Sequence, residues 1–184
     1  ILEATRTFKP PGISHLPDKN GRINPYPSYS NAVYVVVCEV DIETGKIDLL
    51  SLAAAHDCGK VINPILVEGQ VCGAFAMGLG GALTEDIQYD ANGIQLTKSF
   101  KDYVMLRMAD MPAVGVAHHD SPNPDNYMGL KGAGEAGVGG SAAALVNAVN
   151  NALEPLGVLI NEMPLTPSRV WSAIHNANKL EGVK

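Results

Sequence analysis

Aromatic side chains are scarce in this chain. Phe, Trp and Tyr make up 5% of its 184 residues, against 19 glycines. A core built from such a composition must rely on small side chains and close backbone approach. Basic charge is also short: the net charge of −6 and the scattered Lys and Arg offer no electrostatic footprint for nucleic acid or an anionic membrane surface. Cys38, Cys58 and Cys72 are odd in number, widely spaced and without a CxxC pair. That excludes a disulfide framework, a structural zinc site and a self-contained iron–sulfur site, and it suits a reducing, cytoplasmic compartment. No continuous apolar run approaches the roughly 18 residues needed to cross a bilayer, so no membrane span is expected. There is no GxSxG nucleophile elbow and no internal repeat. The opening Ile1-Leu-Glu-Ala lacks an initiating Met and a leader pattern, which reads as a processed piece or a subunit cut from something larger.

What is present is globular: 46% hydrophobic and 17% charged residues. Residues 1–30, and 8–30 above all, are rich in Pro, Gly, Asn and Tyr without a period; they read as an extended arm that needs a surface to lie on. Residues 31–184 read as one domain. Asn31 to Asp41 and Ile47 to Ala55 are β-branched and apolar around the turn Glu43-Thr-Gly-Lys46, which predicts a hairpin, with both faces of its strands buried. Asn63 followed by Pro64 predicts a helix start, and the helix runs to about Thr84. Gly69, Gly73, Gly78, Gly80 and Gly81 lie within it, each costing about 1 kcal/mol against Ala. Tertiary contact must therefore hold it, and Gly69, Gly73, Ala76 and Gly80 make a smooth strip for that contact. Residues 94–103 predict a strand of mixed polarity, and 114–118 a short strand. In the next helix Leu145, Val149, Ala152 and Leu156 share one face, opposite Asn147, Asn150, Asn151 and Glu154. Thr166-Pro167 starts a last helix with Val170, Trp171 and Ile174 inward and Gly182 past its end.

Candidate chemistry is sparse. Lys131-Gly-Ala-Gly-Glu-Ala-Gly137 places Glu135 in a glycine loop, with no other charge within four residues except Lys131. Glycines allow another molecule to approach closely. A helix opened by this loop would present free N–H groups that stabilise an ionised acid, while an apolar pocket pulls its pKa the other way. Gln70 is the one amide on an otherwise apolar helix. The loop formally matches GxGxxG, but the stretch before it is a loop and not the buried strand that a dinucleotide site requires. Neighbouring ligands on a strand point to opposite faces, so His56-Asp57-Cys58 and His118-His119-Asp120 read as strand-end residues making local hydrogen bonds, not as a metal site. Ser141 reads as a cap on the helix that follows.

Four motifs come in order: Glu39-Val-Asp-Ile-Glu-Thr-Gly-Lys46; Asp57-Cys-Gly-Lys-Val-Ile-Asn-Pro64; Val67-Glu-Gly-Gln-Val-Cys-Gly73; and the glycine loop with Ala144-Leu-Val-Asn-Ala-Val149. Together they resemble the C-terminal part of the molybdenum-binding subunit of the xanthine dehydrogenase/aldehyde oxidase family of molybdenum hydroxylases, over roughly residues 30–180. The resemblance implies an α+β molybdopterin-binding domain: a mixed sheet with a hairpin and packed glycine-rich helices. It implies a molybdenum-bearing molybdopterin, in its cytosine dinucleotide form, and hydroxylation of a heteroaromatic or aldehyde substrate with water-derived oxygen. Glu135 falls on the family's general base. Gln70, with Gly69 beside it, falls on the helix motif that contacts the pterin, and Gly132, Gly134, Ala136 and Gly137 form the loop around the cofactor. The family's upstream cofactor motifs, iron–sulfur cysteines and flavin segment are absent here. The implied partners are therefore a larger molybdenum-binding chain, an iron–sulfur subunit and an FAD subunit, beside the small-molecule substrate. A non-catalytic structural or assembly subunit of the same complex is the alternative; a nicotinamide-binding module is a more distant one.

Overall fold

The computed structural model describes residues 2–181. Strands β1 (Asn31–Val40) and β2 (Ile47–Asp57) form the expected antiparallel hairpin, with a bulge between Val37 and Cys38. The short strand β3 (Val114–His118) adds in parallel to β2, so β2 is the centre of a three-stranded mixed sheet. Helices α1 (Pro64–Leu83) and α2 (Ser141–Leu153) cover one face of that sheet, and α3 (Pro167–Glu181) follows. Asn63 caps α1 as its sequence predicts, accepting the Leu66 N–H at 3.3 Å, with proline in the first turn.

The core lies between the sheet and the helices. Leu52 and Ala54 of β2 meet Val71, Phe75, Leu79 and Ala82 of α1 and Leu145, Val149 and Leu153 of α2, all buried. Tyr34 of β1 stacks edge-on against Phe75, with ring centroids 5.6 Å apart. Asn150 of α2 is not a solvated polar residue as its helix face suggested. Its side chain exchanges two hydrogen bonds with the backbone of Ile160, at 2.9 and 3.1 Å, and so holds the segment after the helix.

Several expectations are corrected. The hairpin is buried on one face only: burial alternates along β1, leaving Val33, Val35 and Val37 at 64%, 52% and 48% exposure. Apolar continuity alone does not distinguish a doubly covered strand from one whose second cover is missing. In α1 the packed face is Val71, Phe75, Gly78 and Leu79, while Gly69 and Gly73 face outward, with nothing within 4 Å of an added Cβ. Gly80 is the exception in that strip, closing on the Glu85 side chain. α1 also passes a length-and-composition test for a membrane span that a search for unbroken apolar runs misses, because Glu68 and Gln70 interrupt it. Its inner face is packed into the protein core.

No strand forms over 94–103. Thr97 is buried there, bonded to the Asp86 carbonyl and the Gln88 N–H, and the chain turns on Asp102. Leu153, not Ala152, completes the α2 stripe. Ser141 is the first residue of α2, its hydroxyl bonded to the Val138 carbonyl, and it is not the cap. Val170 and Ile174 are buried, whereas Trp171 is 42% exposed and stacks on His175. Gly182 lies outside the described residues.

Gly45, at φ +72°, turns the hairpin against the start of α3: a Cβ there would collide with the Pro167 carbonyl and the Trp171 nitrogen. Gly137 lies against the backbone of α1 between Val71 and Phe75, where a Cβ has no room. Two alanine substitutions should therefore move stability in opposite directions. Gly137→Ala should destabilise by about 2–3 kcal/mol through overpacking against rigid backbone. Gly73→Ala, on the open face, should stabilise by up to about 1 kcal/mol through helix propensity. Urea unfolding of the two variants checks this; equal midpoints would contradict the packing described.

Candidate functional site

Glu135 sits in a run of turns, and α2 begins only at Ser141. It is therefore not in a first helical turn, and a macrodipole that fades within one turn of the helix end does not act on it directly. Its side chain is exposed and, among the described residues, makes no hydrogen bond or ion pair. It lines a cleft of about 710 Å³ with Gly132, Gly134, Ala136, Gly139 and Gly140 on one side. Tyr26, Ser28 and Ser30 of the arm and Asn31, Ala32, Tyr34 and His56 of the hairpin form the other side.

The loop is fastened on both sides of the carboxylate. Before it, the Ser30 hydroxyl donates to the Gly132 carbonyl at 2.7 Å, and Lys131 pairs with Asp57 at 2.6 Å. After it, the Tyr34 hydroxyl donates to the Ala136 carbonyl, Gly137 abuts α1, and Gly140 lies against the Tyr34 ring. Burial raises the Tyr34 phenol, so it stays a neutral donor. Gly132 and Gly134 have open space where a Cβ would stand. Gly132 and Gly134 thus line the opening, whereas Gly137 packs against α1 and does not.

Gln70 and Gly69 are not part of this cleft. Both lie on the outer face of α1, immediately before the Val71–Phe75 stretch that receives Gly137. This chain brings Glu135 and its glycines together and leaves Gln70 on an adjacent, open surface.

The two histidine clusters behave unlike their expected local hydrogen bonding. Asp57, at the end of β2, accepts from Lys131, 74 residues away, and from the Gly59 and Ser121 N–H groups. Burial would raise its carboxyl; the Lys131 hydrogen bond, the two N–H donors and the Lys131 charge outweigh that and hold it below its ordinary 3.8. His56 and His118 are register partners on adjacent parallel strands and share the inner face of the sheet. Their ring nitrogens are buried and have no hydrogen-bond partner among the described residues. Desolvation pushes His56 below its ordinary 6.5, Asp57 pulls it up, and His118 pushes it down further. Among the described residues, no three His, Cys, Asp or Glu gather to hold a metal ion.

Comparison with known proteins shows the family of the chain. The family model of the molybdopterin cofactor-binding domain matches residues 1–112. The chain belongs to the molybdenum hydroxylase family. It is 37% identical to the nicotine 6-hydroxylase large subunit of Paenarthrobacter nicotinovorans over 85% of its length and 19% of that relative. To the xanthine dehydrogenase molybdenum-binding subunit of Escherichia coli O157:H7 it is 39% identical over 75% of its length and 18% of the relative. The fold matches quinoline 2-oxidoreductase from Pseudomonas putida 86 with a TM-score of 0.78 at 36% identity, covering 79% of this chain and 19% of that one. The chain spans about one fifth of the length of the curated relatives it matches. This molybdenum hydroxylase segment is α+β, as its sequence implied, and carries part of a molybdenum-binding subunit.

The pH dependence of its stability follows from His56. Above pH 6.5 the ring is neutral whether folded or not, and it contributes no dependence. Below 6.5 the unfolded chain takes up the proton first, because the folded pKa is depressed, so stability falls as pH falls. His56→Leu, which also removes the two orphaned nitrogens, should flatten this part of the pH–stability curve. Thermal unfolding from pH 7.5 to 5 checks it; an unchanged slope would count against the buried neutral ring.

Proposed function

We propose that this chain forms part of the molybdenum catalytic subunit of an oxidoreductase that hydroxylates a heteroaromatic or aldehyde substrate with water-derived oxygen, with Glu135 as general base. The observation that carries the reading is the free Glu135 carboxylate, unpaired in a glycine-lined cleft, in a chain of this family. The residues fit a ligand's approach: Gly132 and Gly134 are open on their side-chain faces, beside the exposed Glu135 carboxylate.

When bound, the molybdenum cofactor supplies a Lewis-acidic, redox-active centre that activates water-derived oxygen and takes up the electrons of the substrate. Around it this chain's residues have simpler roles. Gly132 and Gly134 let the cofactor or substrate come close to the backbone. Glu135 accepts a proton on its carboxylate, for which hydrogen-bond reach is required. Gln70 and Gly69, on the open face of α1, would help hold the pterin end, and the cytosine dinucleotide form of the cofactor belongs to the same reading. Relatives are named for nicotine and xanthine and one structural neighbour for quinoline, all nitrogen heteroaromatics, while two other neighbours are aldehyde oxidoreductases; both substrate classes of the reading are represented.

A larger molybdenum-binding chain segment, an iron–sulfur subunit and an FAD subunit complete the proposed complex. One relative is itself named as subunit gamma of the 6-hydroxypseudooxynicotine dehydrogenase complex. Cys38, Cys58 and Cys72 are all free thiols, which supports a cytoplasmic setting.

Glu135→Gln in the assembled complex should lower turnover of the heteroaromatic substrate by at least about 100-fold while leaving molybdenum content, by elemental analysis, unchanged. Undiminished turnover would remove Glu135 from the base role. A parent complex without molybdenum would favour a non-catalytic assembly subunit.

A further inference from the structure

The glycine loop enters its cleft through a junction that the proposed chemistry does not use. Asp57 closes β2, and its carboxylate gathers three separate stretches of chain. One oxygen accepts the N–H of Gly59 at 2.9 Å and of Ser121 at 3.2 Å; the other accepts the Lys131 ammonium at 2.6 Å. The Lys131 ammonium also donates to the Ser121 hydroxyl at 3.4 Å. Backbone pairing runs alongside: Lys131 N–H to the Cys58 carbonyl at 2.9 Å, Lys60 N–H to the Gly129 carbonyl at 3.0 Å, and an isolated bridge between Gly59 and Leu130. Gly59, at φ +67°, permits this, since a Cβ would collide with the Gly129 carbonyl.

The charged pair is almost dry, with side-chain exposures of 10% and 6%. A buried ion pair is a poor way to stabilise a fold, because desolvation cancels most of the Coulomb gain and an apolar pair of similar size does as well. Direction is what it supplies: an ammonium bonded to a fixed carboxylate oxygen leaves the chain little freedom at that residue. The apolar core is elsewhere, between the sheet and helices. Downstream of Glu135 the loop is already held by Tyr34 and α1, independently of this pair.

We propose that Lys131 and Asp57 are positioning residues, an upstream clamp that sets where the glycine loop begins and so aims the Glu135 carboxylate into the cleft. This rests on Glu135 being the base. Without the clamp the loop keeps its downstream anchorage and the Lys131 N–H to Cys58 and Ser30 to Gly132 hydrogen bonds, but it loses the charged tie at its entry, so the carboxylate spreads over several orientations. Small misplacements of a reacting group lower rate far more than they lower binding.

The test uses the assembled holoenzyme with nicotine, quinoline or xanthine as substrate. Lys131→Met alone leaves Asp57 buried and unpaired and endangers folding, so the informative variant is the double change Lys131→Met with Asp57→Asn. It should keep parental molybdenum content, lower kcat roughly 10–100-fold with KM within about 2-fold, and speed amide hydrogen exchange at 132–136 while α1 and α2 exchange as before. Lys131→Arg, which keeps the charge, should recover part of kcat. Parental kcat and exchange in the double variant would overturn the proposal. So would kcat and molybdenum lost together, or faster exchange spread across both helices, because the pair would then be merely structural. Glu135→Gln separates the two readings. If that variant is dead while the double variant runs at the parental rate, only the clamp fails; if it is fully active, the base assignment fails first.

Discussion

Backbone meets backbone where the glycine loop crosses α1, and the site depends on that contact. Gly137 takes the space that a side chain would occupy between Val71 and Phe75. Phe75 in turn is fully buried against Tyr34, whose hydroxyl reaches back to the carbonyl of Ala136. Loop, helix and strand thus form a closed circuit of contacts in which each member is held by the other two. Dense packing of this kind transmits position well, because interiors are about as incompressible as organic crystals. The cleft lies beside the circuit, with the loop as one side and the hairpin and arm as the other.

Outside the circuit the chain is unfinished. The outer face of β1 presents Val33, Val35 and Val37, and the outer face of α1 presents Leu66, Gly69, Gly73 and Met77. Exposed apolar area on this scale marks a surface that is normally covered. The relatives, about five times as long as the matched stretch, contain chain enough to cover it. A composition poor in aromatics fits the same picture, since glycine and alanine surfaces gain most when another backbone lies directly on them.

Local signals carried well into structure where they had a local cause. Asn63-Pro64 began α1, Glu43-Thr-Gly-Lys46 turned the hairpin, and the family resemblance agreed with the matches to known proteins. Signals that depend on a partner across the fold did not carry. The period-3.6 strip of glycines in α1 could face inward or outward with equal local sense, and the decision belonged to Phe75 and Leu79. Residues 94–103 have strand-like composition but pair with the chain before them only through an isolated bridge, Gln95 to Tyr89, and Thr97 and Asp102 fold the rest onto side-chain hydrogen bonds. The attachment of Asp57 to Lys131 spans 74 residues and has no periodic or spacing signature at all. Its one trace in sequence is an acid beside two other polar residues at the end of an apolar strand.

The turn at Gly45 gives the hairpin a further property. With its tip seated on the first turn of α3 and its opposite end on the glycine loop, the hairpin is a beam supported at both ends. Such a beam resists bending most where its supports are rigid. One support here is a helix, and the other is the loop circuit. The wall of the cleft that the hairpin provides is therefore a fixed reference surface. Opposite the glycine loop, the exposed arm that carries Tyr26, Ser28 and Ser30 completes the rim, tied to that loop where Ser30 bonds the Gly132 carbonyl.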